Sequence, residues 1–204
     1  MVIIVSNLYV ASKYKSDIIN LLYGSDNFIK LINPISQSKC PDLDICDVLS
    51  GGKWIVNGNE YEEQGYVFDY NFVNETTQDT KTFVFVETDI DTITNNIFTS
   101  FNLYICIFTS KNLVRLDTCS TPTAKEVKNM GYFASNIHGN RIDALCDCVD
   151  NIINGSNKIK GIGDVKPSPR NHMTIYIPNS KYYGKCLKYN ISNYNPGGNE
   201  CGNW

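Results

Sequence analysis

The sequence predicts an α+β fold: a mixed, mostly antiparallel sheet with one amphipathic helix, about residues 140–154, packed on one face. Three observations lead there. Strand-like segments outnumber helical ones and show no repeating strand–helix–strand pattern. The connections between strands are short, as hairpins require and parallel crossovers do not. Between Asn140 and Asn154 the residues Ile142, Leu145, Cys146, Val149, Ile152 and Ile153 recur at three- and four-residue steps, which gives a helix one apolar face.

The elements follow in chain order. Met1 to Val5 reads as a starting strand or a packed N-terminal arm. Tyr14, Ile18, Leu21 and Leu22 fall at helical spacing, with Gly24 as a C-cap. A second short helix, Asn27 to Ile32, buries Phe28, Leu31 and Ile32 before Pro34 ends it. Residues 36–47 read as loop, with one helical turn near Leu43 to Leu49, and Gly51-Gly52 breaks the chain. Trp54-Ile55-Val56 then meets Asn57-Gly58, the dipeptide best suited to a tight hairpin because both of its residues tolerate positive φ. Tyr66 to Val73 and Thr82 to Glu87 alternate as strands. Asn102 to Thr109 is almost continuously apolar, as a central strand covered on both faces must be. Ala124 to Met130 reads as a short helix with Thr121 as N-cap and Pro122 at its first position. After the helix at 140–154, which stops at Gly155, Met173 to Ile177 and Lys185 to Ile191 complete the sheet. Arg141, Asp143, Asp147 and Asp150 fall mostly on the polar side of that helix.

A chain of 204 residues suits one domain: an N-terminal elaboration over 1–60, a core over 61–193 and a C-terminal arm over 194–204. A hydrophobic share of 42% against 19% charged residues excludes a disordered chain. A net charge of -3 gives no global attraction to nucleic acid or an anionic membrane. No segment is long and apolar enough to span a bilayer, and the N-terminus lacks a signal peptide's basic flank. The eight cysteines are read as reduced thiols, because Cys146 and Cys148 sit on a helix and Cys106 in an apolar strand.

Candidate chemistry is sparse. Cys146 and Cys148 are two apart on a helix and point in different directions, and His138 and His172 stand alone, so no zinc site is expected. The acids Asp69, Glu87, Asp89 and Asp91 near strand ends could in principle serve a metal-dependent nuclease; solvating or edge-protecting charge is the plainer reading. Gly161-Ile162-Gly163 follows a helix and lacks a Lys-Ser/Thr ending, so it is a turn and not a phosphate loop. No catalytic residue, metal ligand or cofactor is expected. Aromatic residues near the C-terminus point to contact surfaces instead, since Tyr and Trp anchor interfaces at low entropic cost. Arg170, Tyr182, Tyr183, Tyr194 and Trp204 are the candidate subunit-interface residues.

Several short motifs occur in a familiar order. Gly139-Asn140-Arg141-Ile142-Asp143-Ala144-Leu145 leads to Asn154-Gly155 and Gly161-Ile162-Gly163. Then come Tyr182-Tyr183-Gly184-Lys185-Cys186-Leu187 and Tyr194-Asn195, with the strands Gly65 to Tyr70 and Lys81 to Val86 upstream. Over roughly residues 65–195 the chain resembles small neck proteins of tailed bacteriophages: head–tail connector, tail-completion or terminator-like ring proteins. The N-terminal sixty residues and the extra cysteines have no counterpart in that pattern. The resemblance implies a non-enzymatic virion subunit, assembled in the bacterial host cytoplasm. It would form a homo-oligomeric ring of six- or twelve-fold symmetry, stacked on portal and adjacent neck or tail proteins, with DNA passing through its lumen without sequence-specific binding. Head-to-tail rings need two different complementary faces, for which the loop Gly155 to Arg170 and the C-terminal arm are candidates. Two rivals stand beside this expectation: a phage- or mobile-element-encoded metal-dependent enzyme or nuclease, and a small intracellular binding module.

Overall fold

Period-two alternation along three long strands builds the sheet, and the computed structural model describes them within residues 7–32, 44–70, 79–94, 98–115, 140–155 and 164–192. The helices are α1 (Asn7–Tyr23), α2 (Asp26–Ile32), α3 (Ile45–Ser50) and α4 (Arg141–Gly155). The strands are β1 (Gly52–Val56), β2 (Asn59–Glu63), β3 (Val67–Phe68), β4 (Thr82–Thr94), β5 (Phe98–Ser110), β6 (Asp164–Pro167), β7 (Met173–Tyr176) and β8 (Tyr182–Ser192). The main sheet runs β3-β4-β5-β8-β6, with β7 also paired to β8. Among the described residues only β3–β4 is parallel. The expected α+β class, with α4 packed on one face of a mostly antiparallel sheet, is what the chain adopts.

Strand parity separates two cores. Val84 and Val86 of β4, Phe101, Leu103, Ile105 and Ile107 of β5, and Leu187, Tyr189 and Ile191 of β8 share the helix-covered face. The other face carries a smaller cluster of Phe83, Phe85, Cys106, Phe108, Tyr182 and Cys186. The near-continuous apolar character of β5 follows, since both of its faces are buried and it lies between β4 and β8. Helices α1 and α2, from the segment expected as an elaboration, contribute Tyr14, Ile18, Leu22, Phe28, Leu31 and Ile32 to the larger core.

The Asn57-Gly58 turn forms as its residues dictate, with φ of 52° and 80°, the positive pair a type I′ hairpin needs. The β1–β2 ribbon it closes is a separate two-stranded sheet, not part of the central one. Of the strand expected at Tyr66 to Val73, Val67 and Phe68 pair with β4, in parallel. β6 falls inside the stretch 155–170 that was expected to be loop; its short, Pro-ended sequence has too few alternating residues to announce a strand. Met1 to Val5, the short helix at Ala124 to Met130 and the arm 194–204 lie outside the described residues.

Two further expectations are corrected. Arg141, placed on the polar side of the late helix, is buried. Its Nε donates to Leu113 O (3.0 Å) and its Nη1 to Leu31 O (2.7 Å). Leu31 lies in the last turn of α2, where carbonyls lack intrahelical donors and a cation is favoured, so the start of α4 is a good place for a guanidinium. The Asn140 side chain caps the same turn by accepting from Ile142 N–H (2.9 Å). Cys106, expected as a reduced thiol, forms a disulfide with Cys186. The two face each other directly across the β5–β8 ladder, a juxtaposition set by register over a sequence separation of 80.

Candidate interaction surface

β8 carries two short strands along its outer side, β6 at its C-terminal half and β7 at its N-terminal half. Among the described residues β7 pairs only with β8. Parity turns Tyr176 into the smaller aromatic cluster, 5.5 Å from Phe85 ring to ring, and turns Met173 and Ile175 to the helix side. Met173, Ile175 and Ile177 are 49%, 68% and 57% exposed, an apolar stripe on a sheet edge. An exposed apolar edge strand is a template for pairing with another chain unless something covers or charges it.

Between this edge and α4 lies a cleft of about 320 Å³, lined by Asp143, Cys146, Asp147, Asp150, His172, Met173, Lys185 and Leu187. Helical spacing stacks the three aspartates on one side of α4. Asp143 pairs with Lys185 of β8. Asp150 Oδ1 accepts from Tyr189 O–H (2.8 Å) and meets His172 Nε2 (3.0 Å), while His172 Nδ1 meets Lys188 O (2.8 Å). Burial, reinforced by the Asp150 hydrogen bond, pushes the Tyr189 hydroxyl well above the usual phenol range and keeps it a donor. Both histidine nitrogens are thereby engaged, so the ring has none left to take a proton from Cys146. Burial pushes that thiol up to about 12, away from the thiolate that nucleophilic chemistry needs. The network ties α4 to β8 and to the segment before β7; it does not assemble a cysteine–histidine pair.

The residues expected to matter are distributed as follows. Ile142, Leu145, Cys146, Val149 and Ile153 of α4 are buried in the main core, and Ile152 packs partly buried against it. Arg170 is exposed just before β7, and Tyr183 is half-buried against the main core. Tyr182, expected at a subunit interface, is instead buried in the chain's own aromatic cluster and donates its hydroxyl to Asp79 O (2.7 Å), so it has no surface to offer a neighbour. Tyr194 and Trp204 lie outside the described residues. The acids Asp69, Glu87, Asp89 and Asp91 do not converge. Lys15 of α1 joins Glu87 Oε1 (2.9 Å) to the Asp69 carbonyl (2.7 Å), whereas Asp91 meets Ser100 and Asn102 near the far end of β4. Among the described residues no group of three or more His, Cys, Asp or Glu could hold a metal ion, and no helix is long and apolar enough to cross a membrane. Sequence reading missed the Met173-x-Ile175-x-Ile177 stripe; its alternation was visible, but which face stays exposed depends on tertiary packing.

The buried thiols give a measurable pH response. Burial raises Cys146 to about 12 and Cys148 to about 11 from an ordinary value of 9.0. The folded chain therefore keeps protons that the unfolded chain releases above pH 9. Their stabilising contribution is complete below pH 9 and is lost as pH rises towards 11–12, with a slope of about 1.4 kcal/mol per pH unit for each proton retained. Tyr182, raised to about 12 from 10.0, adds to the slope only above pH 10. Urea unfolding at pH 8, 9 and 10 is expected to show falling stability, with a shallower fall in Cys146→Ala/Cys148→Ala. An equal slope in the two proteins contradicts the assignment.

Fold and surface together define an α+β protein whose distinguishing feature is an uncovered apolar sheet edge beside a structural hydrogen-bond network. The chain belongs to the YomW family, whose model matches residues 16–191. That places it among phage-associated proteins. No curated protein and no solved structure matches the chain.

Proposed function

We propose that this protein is a structural virion component of a tailed phage: a ring-forming neck subunit joining portal and tail around the DNA channel, acting by assembly and not by turnover. The observation that carries the reading is the apolar stripe of Met173 and Ile175 on β7 and Ile177 just after it, the kind of surface a neighbouring copy covers. Phage association supports it, as does the resemblance of the motifs between residues 65 and 195 to neck proteins. A modest net charge of -3 suits a lumen that lets DNA pass without gripping it. The ring has six or twelve copies, contacts portal and adjacent neck or tail proteins, and resides in the virion.

Light scattering coupled to size exclusion, with negative-stain imaging, tests this. The wild-type chain is expected to form closed rings whose mass is a six- or twelve-fold multiple of 23.0 kDa. Ile175→Asp, at an exposed position where substitution costs the monomer about 0.5 kcal/mol or less, is expected to shift the population to folded monomer. A wild-type chain that stays monomeric at high concentration refutes the ring, and an Ile175→Asp variant that still closes rings removes β7 from the contact.

A further inference from the structure

A second exposed apolar feature lies far from β7 in sequence. Tyr66 N–H donates to Leu49 O (2.7 Å), which closes the base of the excursion that holds the β1–β2 ribbon. Among the described residues β1 and β2 pair only with each other, and none of residues 51–62 is buried. A two-stranded ribbon is marginally stable at best unless something packs on a face of it. Parity gives this one two unlike faces. Trp54 stands opposite Tyr61 on the first, and both are half-buried. Lys53 opposite Glu62 and Ile55 opposite Glu60 make up the second, and all four are exposed. Ile55, at 79%, is the most exposed large hydrophobic side chain among the described residues.

The ribbon and the β7 stripe complement each other. Both are exposed in the same chain, so a contact that buries them has to run between copies. Their charges match in sign. Arg170 before β7 and Lys181 after it are exposed cations, and Glu60 and Glu62 share the outward face of the ribbon with Ile55. In the cleft beside the stripe, Asp143 and Asp150 are engaged by Lys185 and His172. The exposed Asp147 is the acid there that suits Lys53. A contact of β7 with a second β7 would instead bring the basic flanks together, like charge against like charge.

We propose that the outward face of the β1–β2 ribbon of one copy docks on the β7 stripe of the next, with Ile55 seated among Met173, Ile175 and Ile177. The two surfaces differ, so the contact is head-to-tail, the kind that repeats from copy to copy around a ring. A β7-to-β7 contact would be two-fold and would stop at a dimer. The ribbon gains the cover it lacks in the single chain, and the apolar edge is closed to other strands. This contact rests on the ring reading and names the two faces of its interface.

Ile55→Ser removes the anchor at an exposed position and adds no charge beside Glu60. Light scattering of the full-length Ile55→Ser chain, of Ile175→Asp and of their equimolar mixture is the test. Each variant alone is expected to self-associate at least tenfold more weakly than wild type, with an unchanged circular dichroism spectrum. The mixture is expected to yield a heterodimer of twice 23.0 kDa. The intact ribbon of Ile175→Asp meets the intact stripe of Ile55→Ser, while the opposite junction is damaged on both sides. A mixture that stays monomeric, or an Ile55→Ser chain that closes rings as readily as wild type, overturns the ribbon–stripe contact. Rings from Ile55→Ser beside monomers from Ile175→Asp would leave the ring reading standing, with some other face opposite β7. A wild-type chain that stays monomeric sinks both.

Discussion

Val149→Asp is expected to yield a chain that does not fold. Val149 is fully buried on α4, within the core that the helix forms with the sheet and with α1 and α2. An aspartate there would lie in the same buried cluster as Leu145, Cys146 and Ile153. Burying an unpaired carboxylate costs several kcal/mol even after it takes up a proton, and the lost valine packing adds about 1.5–3 kcal/mol. Total stability for a domain is about 5–15 kcal/mol, so the sum removes most or all of it. Asp147→Asn, two residues away on the exposed side of the same helix, is the control and should melt within about 0.5 kcal/mol of wild type. Circular dichroism and thermal denaturation of the pair decide the matter. A Val149→Asp protein that melts like wild type would mean that α4 does not pack as described.

That helix also shows how far sequence can be read. Its apolar stripe was legible because the period of the pattern is the period of the backbone. The second buried side was not: Ala144 and Cys148 are buried as well, and a Ser25 hydroxyl reaches Cys148 from the α1–α2 junction. A helix packed between a sheet and other helices buries more than one stripe, and no local window reveals the second layer. Arg141 carries the same lesson with charge, because its acceptors, Leu113 and Leu31, are distant in sequence. β5 was legible as central from its unbroken apolar run, and the β1–β2 turn from Asn57-Gly58. The Cys106–Cys186 pairing was not, since it depends on the register of strands far apart in the chain. Tyr182 was read as an interface residue from its type alone, whereas strand parity sends it into the chain's own aromatic cluster. For the interaction surface, residue types near β7 were visible but not their exposure, which is decided by tertiary packing.

Gly184→Ala tests the other face of the sheet, and its effect is expected to be nearly as large. Gly184 lies in β8 directly opposite Phe108 of β5, with Tyr176 of β7 on its other side. A Cβ built there runs into the Ile107 carbonyl oxygen and the backbone and Cβ of Phe108. These atoms belong to the most buried strand of the sheet, so they cannot move aside as the tip of a flexible side chain would. The absent side chain also leaves room for Phe108, whose ring packs 5.4 Å from Phe83 and 5.6 Å from Tyr182. An aromatic lying beside a strand glycine is a recurrent way to fill the gap. Forcing one methyl group into such packing costs about 3 kcal/mol, which for a chain of this length lowers the melting temperature by roughly 6–12 °C. Gly58→Ala is the informative comparison, because nothing lies within 4 Å of its added Cβ and only the φ of 80° resists it. That substitution is expected to cost about 1 kcal/mol, the ordinary penalty of a left-handed conformation. Trimming Phe108 to alanine should not rescue Gly184→Ala, since the Ile107 carbonyl stays in place. A rescue would locate the conflict in the aromatic cluster instead of the β5–β8 backbone.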